Sequence, residues 1–433
     1  MFGTSGIRGR VGTKVTAQLA LDIGRAVAVD TDRVVVGRDP RESGKTLLDA
    51  LTAGLRESGT DVVDMGMAAT PTVARAVAWE DADAGAVITA SHNPATDNGI
   101  KLWQRSGQAF DSALQTTIEQ RITDGETALV PWNEFGTRTR KDGTARHKKA
   151  LVDAVEINRS LSVVVDVGNG AGGVTAEALA ELGCTVETLN AQPDGSFPGR
   201  PSEPTPEHCE SLSALLKTTD AEVGIAHDGD ADRMRAVTED GEFLSGDVLL
   251  AVLARESADA GEKVAVPVDT SLAVADYLAA AGIETVRTRV GDVYVAEATT
   301  QSGVVFGGEP SGAWIWPTET RCPDGPLAAC KLVSLASKRS LAERAAKIET
   351  YPIRRVAIPV ADKARRMETI AKRIEDEGYG DVSTLDGIRV TLEDGWFLIR
   401  PSGTESVVRI TAEARAERRV ETLFTEAKAI VSG

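Results

Sequence analysis

Short apolar runs alternate with amphipathic segments along most of the chain. Continuous runs such as Val34-Val35-Val36 predict buried strands, whereas residues 43–59 repeat their apolar positions at helical spacing. Buried strands that alternate with helices are typical of proteins in which helices cover a mixed or parallel sheet. The hydrophobic pattern therefore predicts an α/β fold.

This alternation starts again several times, which predicts several domains. A polar, basic stretch at 137–149 separates the first two groups of strands and helices, and a third group begins near residue 246. After Tyr351-Pro352 the pattern changes to a strand, a helix, further strands and a final helix. A chain of 433 residues is also too long for one hydrophobic core. We predict α/β domains at 1–145, 146–245 and 246–350, and an α+β domain at 351–433.

One segment, 193–206, interrupts the pattern with five prolines. Proline has no backbone N–H and a fixed φ, so a run this rich in proline cannot continue a helix or a central strand. We therefore predict a long loop there.

The chain is strongly acidic, with 65 Asp and Glu residues against 48 Lys and Arg residues and a formal net charge of −17. Such a chain repels polyanions, and no basic run offers them a local groove, so we expect no nucleic-acid partner. Lys supplies only 14 of the 48 basic residues, and aromatic residues make up 4%. This composition resembles that of proteins from salt-rich cytoplasm, and we hypothesise a halophilic archaeon as the source.

The beginning of the chain carries glycines and arginines where a secretion signal needs an apolar run. No segment approaches the roughly 18 successive apolar residues of a membrane helix. We therefore expect a cytoplasmic protein without membrane association. The four cysteines contain no C-x-x-C pair and are expected to be isolated reduced thiols.

Ser91 follows an apolar predicted strand at 84–90 and precedes His92-Asn93-Pro94. Open α/β sheets expose ligand-binding residues at the carboxyl ends of their strands. A serine there can carry a phosphoryl group if a base or a metal stabilises its oxygen, and Lys101 could neutralise the phosphate. The alternatives are a solvated turn serine and a surface lysine.

Three alternate carboxylates, Asp228, Asp230 and Asp232, follow the short apolar strand at 223–226. Carboxylate oxygens are hard ligands of the type that Mg²⁺ prefers, and three so close repel one another without a cation. A calcium-binding EF-hand is excluded because Arg233 stands where that loop requires glycine. A purely structural acidic turn remains the alternative.

Two further loops offer groups that bind sugars and phosphates. Residues 307–312 place Glu309 and Ser311 on a glycine-rich loop, where a carboxylate and a hydroxyl could bind sugar hydroxyls. Residues 400–405 combine a guanidinium, two hydroxyls and a glycine turn, which together can bind phosphate. Simple β-turns are the alternative in both places. Residues 168–173 match G-x-G-x-x-G, but we favour a glycine-rich turn there over nicotinamide binding.

Five segments in this order, 4–9, 89–94, 228–233, 308–312 and 400–405, resemble those of the α-D-phosphohexomutases. Within that family the chain is most similar to the archaeal phosphoglucosamine mutases, phosphomannomutases and phosphoglucomutases. The resemblance covers the whole length. It implies three similar α/β domains with mixed sheets and a C-terminal α+β domain around a central cleft.

The resemblance also assigns roles to residues. It implies that Ser91 is phosphorylated, that one Mg²⁺ per chain binds the acidic triad and the Ser91 phosphate, and that Arg8 and Lys101 assist transfer. Glu309 and Ser311 would hold sugar hydroxyls, and the 400–405 segment would clamp the phosphate that does not react, with Arg409 as a helper. The candidate catalytic residues are Ser91, Lys101, Arg8 and His92; the metal-binding residues are Ser91, Asp228, Asp230 and Asp232; and the substrate-binding residues are Arg233, Glu309, Ser311, Arg400, Ser402, Gly403, Thr404 and Arg409.

The function implied is the interconversion of hexose 6-phosphate and hexose 1-phosphate, an isomerase reaction that passes through a bisphosphorylated sugar, with hexose 1,6-bisphosphate as activator. A phosphoglucosamine mutase is the first expectation, and a phosphomannomutase or phosphoglucomutase the second. A Mg²⁺-dependent sugar phosphatase would use the same loops. A non-catalytic sugar-phosphate sensor is suggested by Ala313, where the family usually has His. The expected partner is a small sugar phosphate, and the oligomeric state stays open.

Overall fold

The computed structural model describes residues 1–3, 6–402 and 406–432 and contains the alternation of strands and helices that the sequence predicts. Its elements up to residue 250 are β1 (Ile7–Arg10), α1 (Ala17–Ala28), β2 (Arg33–Arg38), α2 (Gly44–Glu57), β3 (Asp61–Met67), α3 (Thr70–Trp79), β4 (Ala84–Ile88), β5 (Asp97–Gln104), α4 (Ser112–Asp124), β6 (Arg138–Arg140), α5 (Thr144–Asp153), β7 (Ser162–Asp166), α6 (Gly173–Glu181), β8 (Thr185–Leu189), α7 (Glu210–Thr218), β9 (Val223–His227) and β10 (Met234–Thr238).

The remaining elements are α8 (Gly246–Ser257), β11 (Lys263–Pro267), α9 (Leu272–Ala279), β12 (Glu284–Thr288), α10 (Asp292–Ala298), β13 (Val304–Gly308), β14 (Trp314–Ile315), α11 (Gly325–Lys338), α12 (Leu341–Ala345), β15 (Ile353–Pro359), α13 (Lys363–Glu377), β16 (Asp381–Ser383), β17 (Ile388–Leu392), β18 (Gly395–Pro401), β19 (Val407–Ala414) and α14 (Glu417–Ser432). None of the described helices is both long and apolar enough to cross a membrane.

The chain forms two compact units, one of residues 1–249 with 311–345 and one of residues 250–310 with 346–433. The first unit contains a six-stranded sheet in the order β1-β5-β4-β2-β3-β6 and a four-stranded sheet in the order β10-β9-β7-β8. In the larger sheet β3, β2 and β4 run parallel, whereas β5 is antiparallel to both β4 and β1. Both sheets are mixed, so the predicted α/β class is confirmed.

The continuous apolar run in β2 has a physical reason, because helices cover both faces of this sheet. Val34 and Val36 pack in one core with α1 and α2, while Val35 points to the opposite face and packs in a second core with α3. A strand buried on both faces has no solvent-facing positions to fill with polar side chains.

The second unit contains three parallel strands, β12-β11-β13, and an antiparallel sheet in the order β15-β19-β18-β17-β16. On β18, Phe397 and Ile399 face a core with α13 and α14, whereas Trp396 and Leu398 face Val268 on the opposite side. The α+β character predicted for the C-terminal part of the chain is present.

The polar stretch 137–149 contains elements that the sequence did not predict: β6 adds a strand beside β3, and α5 follows it. Arg138 and Arg140 on β6 both pair with the buried carboxylate of Asp64. One local expectation was wrong, because Gly307 and Gly308 end β13 instead of lying in a loop, and a Cβ on Gly307 would come within 2.6 Å of Val295 on α10. Residues 193–206 contain no helix or strand, as their prolines predict.

Candidate functional site

The serine loop begins where β4 ends, so that the strand delivers Ser91 to the carboxyl edge of the large sheet. Ser91 is fully buried and has φ of +51°, a left-handed backbone conformation that is uncommon outside glycine. Its N–H donates to Thr89 Oγ1 at 2.8 Å, and its hydroxyl donates to Asp228 Oδ2 at 2.5 Å. The backbone therefore directs Oγ at the acidic loop.

The acidic loop connects β9 to the antiparallel β10 and gathers three carboxylates. Oxygens of Asp228, Asp230 and Asp232 lie within 4.8 Å of one another, and all three side chains are buried. Burial and the charges of Asp232 and Asp230 raise the pKa of Asp228 well above its usual range. Within the described part of the chain, the buried Oδ1 of Asp230 has no hydrogen-bond partner. An unpartnered oxygen among crowded carboxylates fits a hard divalent cation.

Lys101 reaches this cluster from β5, the neighbour of β4 in the sheet. Its Nζ donates to Asp230 Oδ2 at 2.8 Å and also contacts Asp232. Thr70, at the start of α3, donates to the same Asp230 oxygen at 2.6 Å. Burial opposes ionisation of Asp230, but Lys101 and Thr70 prevail and lower its pKa below the usual value.

His92, Arg8 and Arg233 belong to the same neighbourhood. His92 Nδ1 lies 3.3 Å from Ser91 Oγ. Burial, followed by the positive charges of Arg233, Arg8 and Lys101, lowers the pKa of His92 to about 2, so the imidazole is neutral at physiological pH. Arg8 lies on β1 opposite Gly99 of β5. The first unit thus brings together all four candidate catalytic residues, the triad and Arg233.

The glycine-rich turn 168–173 supports the acidic loop. It connects β7 to α6, and Ala171 N–H donates to the carbonyl of Gly229 at 3.0 Å. A Cβ on Gly170 would lie 2.8 Å from that same carbonyl oxygen, so the close approach requires glycine. The sequence G-x-G-x-x-G is explained here by packing between two turns.

Three of the predicted phosphate-binding residues lie in the second unit, on β18 and β19 or just beyond. Arg400 on β18 is directly opposite Arg409 on β19, and Arg400 Nη1 lies 3.2 Å from Asp386. Ser402 follows β18, and its carbonyl accepts a hydrogen bond from Lys363 Nζ at 2.6 Å. The beginning of the 400–405 segment thus carries Arg400, pairs with the strand position of Arg409 and is contacted by Lys363. Five residues of the predicted motifs, Thr4, Ser5, Gly403, Thr404 and Glu405, lie outside the described residues.

Glu309 and Ser311 are assigned to different units. Glu309 is buried in the second unit, where its Oε1 accepts from the N–H of Gly291 at 2.7 Å. Ser311 belongs to the first unit and lies two residues before Ala313, whose backbone pairs with Arg233. Glu309 is therefore held in place by a residue of its own unit.

Sequence reasoning missed the residues that hold the serine loop. Asp39 and Arg41 follow β2 and form a fully buried ion pair with Arg41 Nε 2.9 Å from Asp39 Oδ2. Ser202, in the proline-rich loop, bonds the carbonyl of Ser91. A signal for the first pair was available: β2 is parallel to β4, so charged residues after β2 lie at the same sheet edge as Ser91.

Comparison with known proteins decides the family. Models of the phosphoglucomutase/phosphomannomutase domains match in chain order: alpha/beta/alpha domain I at 1–129, domain II at 145–241, domain III at 245–351 and the C-terminal domain at 356–430. The chain belongs to the phosphoglucomutase/phosphomannomutase family. The resemblance inferred from the five segments is confirmed, as is the enzyme class, a phosphohexomutase among the isomerases.

Individual members of this family match over the full length. A protein of Methanosarcina acetivorans named "Probable phosphoglucosamine mutase" is 47% identical, covering 100% of this chain and 98% of that protein. A protein of the same name from Methanopyrus kandleri is also 47% identical, covering 98% of this chain and 96% of that protein. The crystal structure of a family protein from Burkholderia thailandensis has a TM-score of 0.89 at 29% identity and covers 100% of this chain and 99% of its own.

Proposed function

We propose that the chain is a phosphoglucosamine mutase that interconverts glucosamine 6-phosphate and glucosamine 1-phosphate through phosphorylated Ser91. One observation carries the proposal: Ser91 Oγ lies 2.5 Å from Asp228 at a buried triad, and Lys101 contacts the other two carboxylates. The family supplies the reaction class, and the names of the full-length relatives supply the choice of sugar.

The proposed reaction needs no co-reactant. In the first step a hydroxyl oxygen of the sugar monophosphate bonds to phosphorus, the bond from phosphorus to Ser91 Oγ breaks, and the proton of the sugar hydroxyl ends on Ser91 Oγ. The bisphosphorylated sugar then presents its other phosphate. In the second step Ser91 Oγ accepts that phosphoryl group, and the sugar oxygen left behind takes up the proton.

Electrostatics decide which residues support these steps. Phosphoryl transfer depends more on positioning and charge neutralisation than on covalent chemistry by the protein. Lys101, Arg8 and Arg233 supply positive charge near Ser91, as their joint effect on His92 indicates. His92 is neutral, so we assign it a hydrogen-bonding role beside Oγ. Asp228 accepts from the Ser91 hydroxyl and orients it.

We propose one Mg²⁺ per chain, held by Asp228, Asp230, Asp232 and the phosphate on Ser91. The buried carboxylate oxygens and the unpartnered Oδ1 of Asp230, as far as the structure is described, support it. When bound, the ion would neutralise charge on the transferred phosphoryl group. We also propose hexose 1,6-bisphosphate as the activator that first phosphorylates Ser91.

The other assignments follow the same family pattern. We propose that the sugar hydroxyls are bound by Glu309 and Ser311, and that Arg233 contacts the substrate. The phosphate that does not react would be bound by Arg400, Ser402, Gly403, Thr404 and Arg409. Arg400 and Arg409 are paired residues of β18 and β19, and this supports the role because charge-assisted bonds from arginine to phosphate are strong.

We also propose domain limits at 1–145, 146–245, 246–350 and 351–433. The matches to four family models are supportive, since they break at 129–145, 241–245 and 351–356. Cytoplasmic location, expected from the apolar pattern, and a salt-rich source, expected from composition, are predictions from the sequence. A melting temperature that does not rise in molar salt would count against the second.

Intact mass spectrometry tests the carrier. The protein is weighed before and after incubation with glucose 1,6-bisphosphate and Mg²⁺, and any added phosphate is mapped. Wild type and the control Ser106→Ala, an exposed turn serine, should gain one phosphate at Ser91, whereas Ser91→Ala should gain none and lose mutase activity. A Ser91→Ala variant with wild-type activity would refute the mechanism.

A panel of glucosamine, mannose and glucose 6-phosphates then tests the sugar. The highest kcat/KM should belong to glucosamine 6-phosphate. Preference for mannose or glucose would reassign the chain within the same family. Accumulation of inorganic phosphate would identify a phosphatase, and binding without turnover would identify a sensor.

A further inference from the structure

The main-chain carbonyl of Ser91 is held from two sides by side chains that come from distant parts of the sequence. Arg41 Nη2 donates to it at 2.8 Å, and Ser202 Oγ donates to it at 2.7 Å. Neither residue contacts the hydroxyl that would carry phosphate. Both act on the backbone of the carrier residue, which has the left-handed conformation described above.

Arg41 uses every N–H that its side chain has. Nε donates to Asp39, Nη2 to the carbonyls of Ser91 and Asn93, and Nη1 to the carbonyls of Pro94 and Asp97, at 2.6–2.9 Å. A guanidinium has five N–H donors in a fixed planar fork, so this arrangement sets the positions of four carbonyls at once. The Arg41 side chain is fully buried, and lysine could not reproduce the set.

Asp39 also fixes the backbone N–H of Ser91, through hydrogen bonds that pass by way of Thr89. Its Oδ2 accepts from Thr89 Oγ1 at 2.7 Å, and Thr89 Oγ1 in turn accepts from the N–H of Ser91. One buried ion pair therefore reaches both the N–H and the carbonyl of the carrier serine. The N–H is reached through Thr89 and the carbonyl directly.

Ser202 connects the serine loop to the acidic loop. Its Oγ accepts from the N–H of Gly229 at 3.0 Å while it donates to the Ser91 carbonyl. A Cβ on Gly229 would lie 2.7 Å from Ser202 Oγ and 2.9 Å from that carbonyl, so the Gly229 backbone packs closely against both groups. Arg200, two residues earlier, anchors the proline-rich loop through a buried ion pair with Asp166.

We propose that Arg41 and Ser202 are positioning residues for phosphoryl transfer: together they hold the Ser91 carbonyl and so keep Oγ directed at Asp228. The inference rests on the proposed function, since it requires Ser91 to be the carrier. A misplacement of about 1 Å at a reacting group can cost roughly a hundredfold in rate. Loss of either hydrogen bond should therefore slow transfer without changing the groups that bind substrate.

The test compares Ser202→Ala and Ser202→Thr with wild type and with Ser196→Ala, a control in the same loop whose exposed hydroxyl bonds only Asp194 among the described residues. Steady-state kinetics and the rate of Ser91 phosphorylation by glucose 1,6-bisphosphate are measured, with melting temperature as a check on folding. Ser202→Ala should lower kcat and the phosphorylation rate by about tenfold or more and leave KM within about twofold. Ser202→Thr, which keeps the hydroxyl, should recover most of the loss.

Arg41→Lys provides a second variant and should reduce the phosphorylation rate more than Ser202→Ala does. Arg41 and Ser202 donate to the same carbonyl oxygen of Ser91. The phosphorylation rate of the double variant should therefore fall by less than the product of the two single-variant losses. If wild type gains phosphate but Ser202→Ala matches its kcat, the inference is overturned and the proposed function stands. If wild type gains no phosphate on Ser91, both are overturned.

Discussion

Lys101 Nζ donates to Asp230 Oδ2 at 2.8 Å and also contacts Asp232, so a cation of the chain itself bridges two carboxylates of the triad. A divalent ion bound to the same oxygens would compete with this ammonium group. Lys101→Met should therefore strengthen Mg²⁺ binding in a calorimetric titration by at least several-fold, because charges at this distance interact by about 1 kcal/mol or more. The same variant should lose mutase activity.

Lys141→Met is the matched control, because this exposed lysine pairs with Glu80 away from the triad. Its Mg²⁺ affinity should equal that of wild type. Weaker Mg²⁺ binding in Lys101→Met than in this control would show that Lys101 supports the metal site instead of competing with it.

Metal removal should lower thermal stability. Asp228, Asp230 and Asp232 are buried and close together, and a cation that binds only the folded state stabilises it by about 2.7 kcal/mol at a hundred times its dissociation constant. The melting temperature should rise with Mg²⁺ and fall with EDTA, at constant ionic strength set with NaCl. In Asp230→Asn the Mg²⁺-dependent shift should be largely lost. An equal shift in that variant would place the bound ion elsewhere.

Lys363 begins α13 and donates to the carbonyl of Ser402 at 2.6 Å, beside the proposed phosphate-binding segment. Lys363→Met should raise KM for the sugar phosphate by about tenfold, the equivalent of one charge-assisted hydrogen bond, with a smaller effect on kcat. Lys372→Met, on the exposed face of the same helix, is the control. A kcat loss with unchanged KM would argue that Lys363 does not contribute to substrate binding.

Asp324, the N-cap of α11, accepts from Arg75 at 2.8 Å and from Leu327 N–H, and lies 3.3 Å from His147. Burial opposes its charge, but Arg75 and His147 lower its pKa below the usual value. An acid with a lowered folded-state pKa stabilises the fold above its unfolded pKa of about 3.9, and this contribution is lost as the pH falls.

Asp324→Asn should therefore cost about 3–5 kcal/mol at pH 7, because it leaves Arg75 buried without its ion pair. The difference in melting temperature from wild type should shrink once the pH is lowered below about 4. Asp81→Asn, at an exposed pair, should change little at either pH. A difference that is independent of pH would show that the charge of Asp324 is not what stabilises the fold.

The sequence was most informative where a candidate functional residue directly follows a buried strand. Ser91 and Asp228 come just after the apolar strands β4 and β9, and their positions at the sheet edges could be inferred from that pattern alone. The position of β6 could not be inferred, since Arg138 and Arg140 show no apolar alternation and their ion pairs with Asp64 are visible only in the folded chain.

The residues that hold the serine loop could not be identified from the sequence for a related reason. Arg41 and Ser202 contact the Ser91 carbonyl across 50 and 111 residues of chain. Every residue has a carbonyl, so such contacts leave no trace in residue type or spacing at Ser91. The parallel pairing of β2 with β4 could place the end of β2 at this sheet edge, but only the folded backbone shows that the proline-rich loop meets it there and that both bond the Ser91 carbonyl.

The bond from Ser202 to the Ser91 carbonyl also bears on the order of events during synthesis. The large sheet can form before residue 202 has been made, but the carrier serine then lacks one of the side chains that set its backbone and lacks Asp228 altogether. Contacts that join distant residues form late, after the loop between them has closed. A growing chain can therefore complete its first sheet before it has a serine in position to accept phosphate.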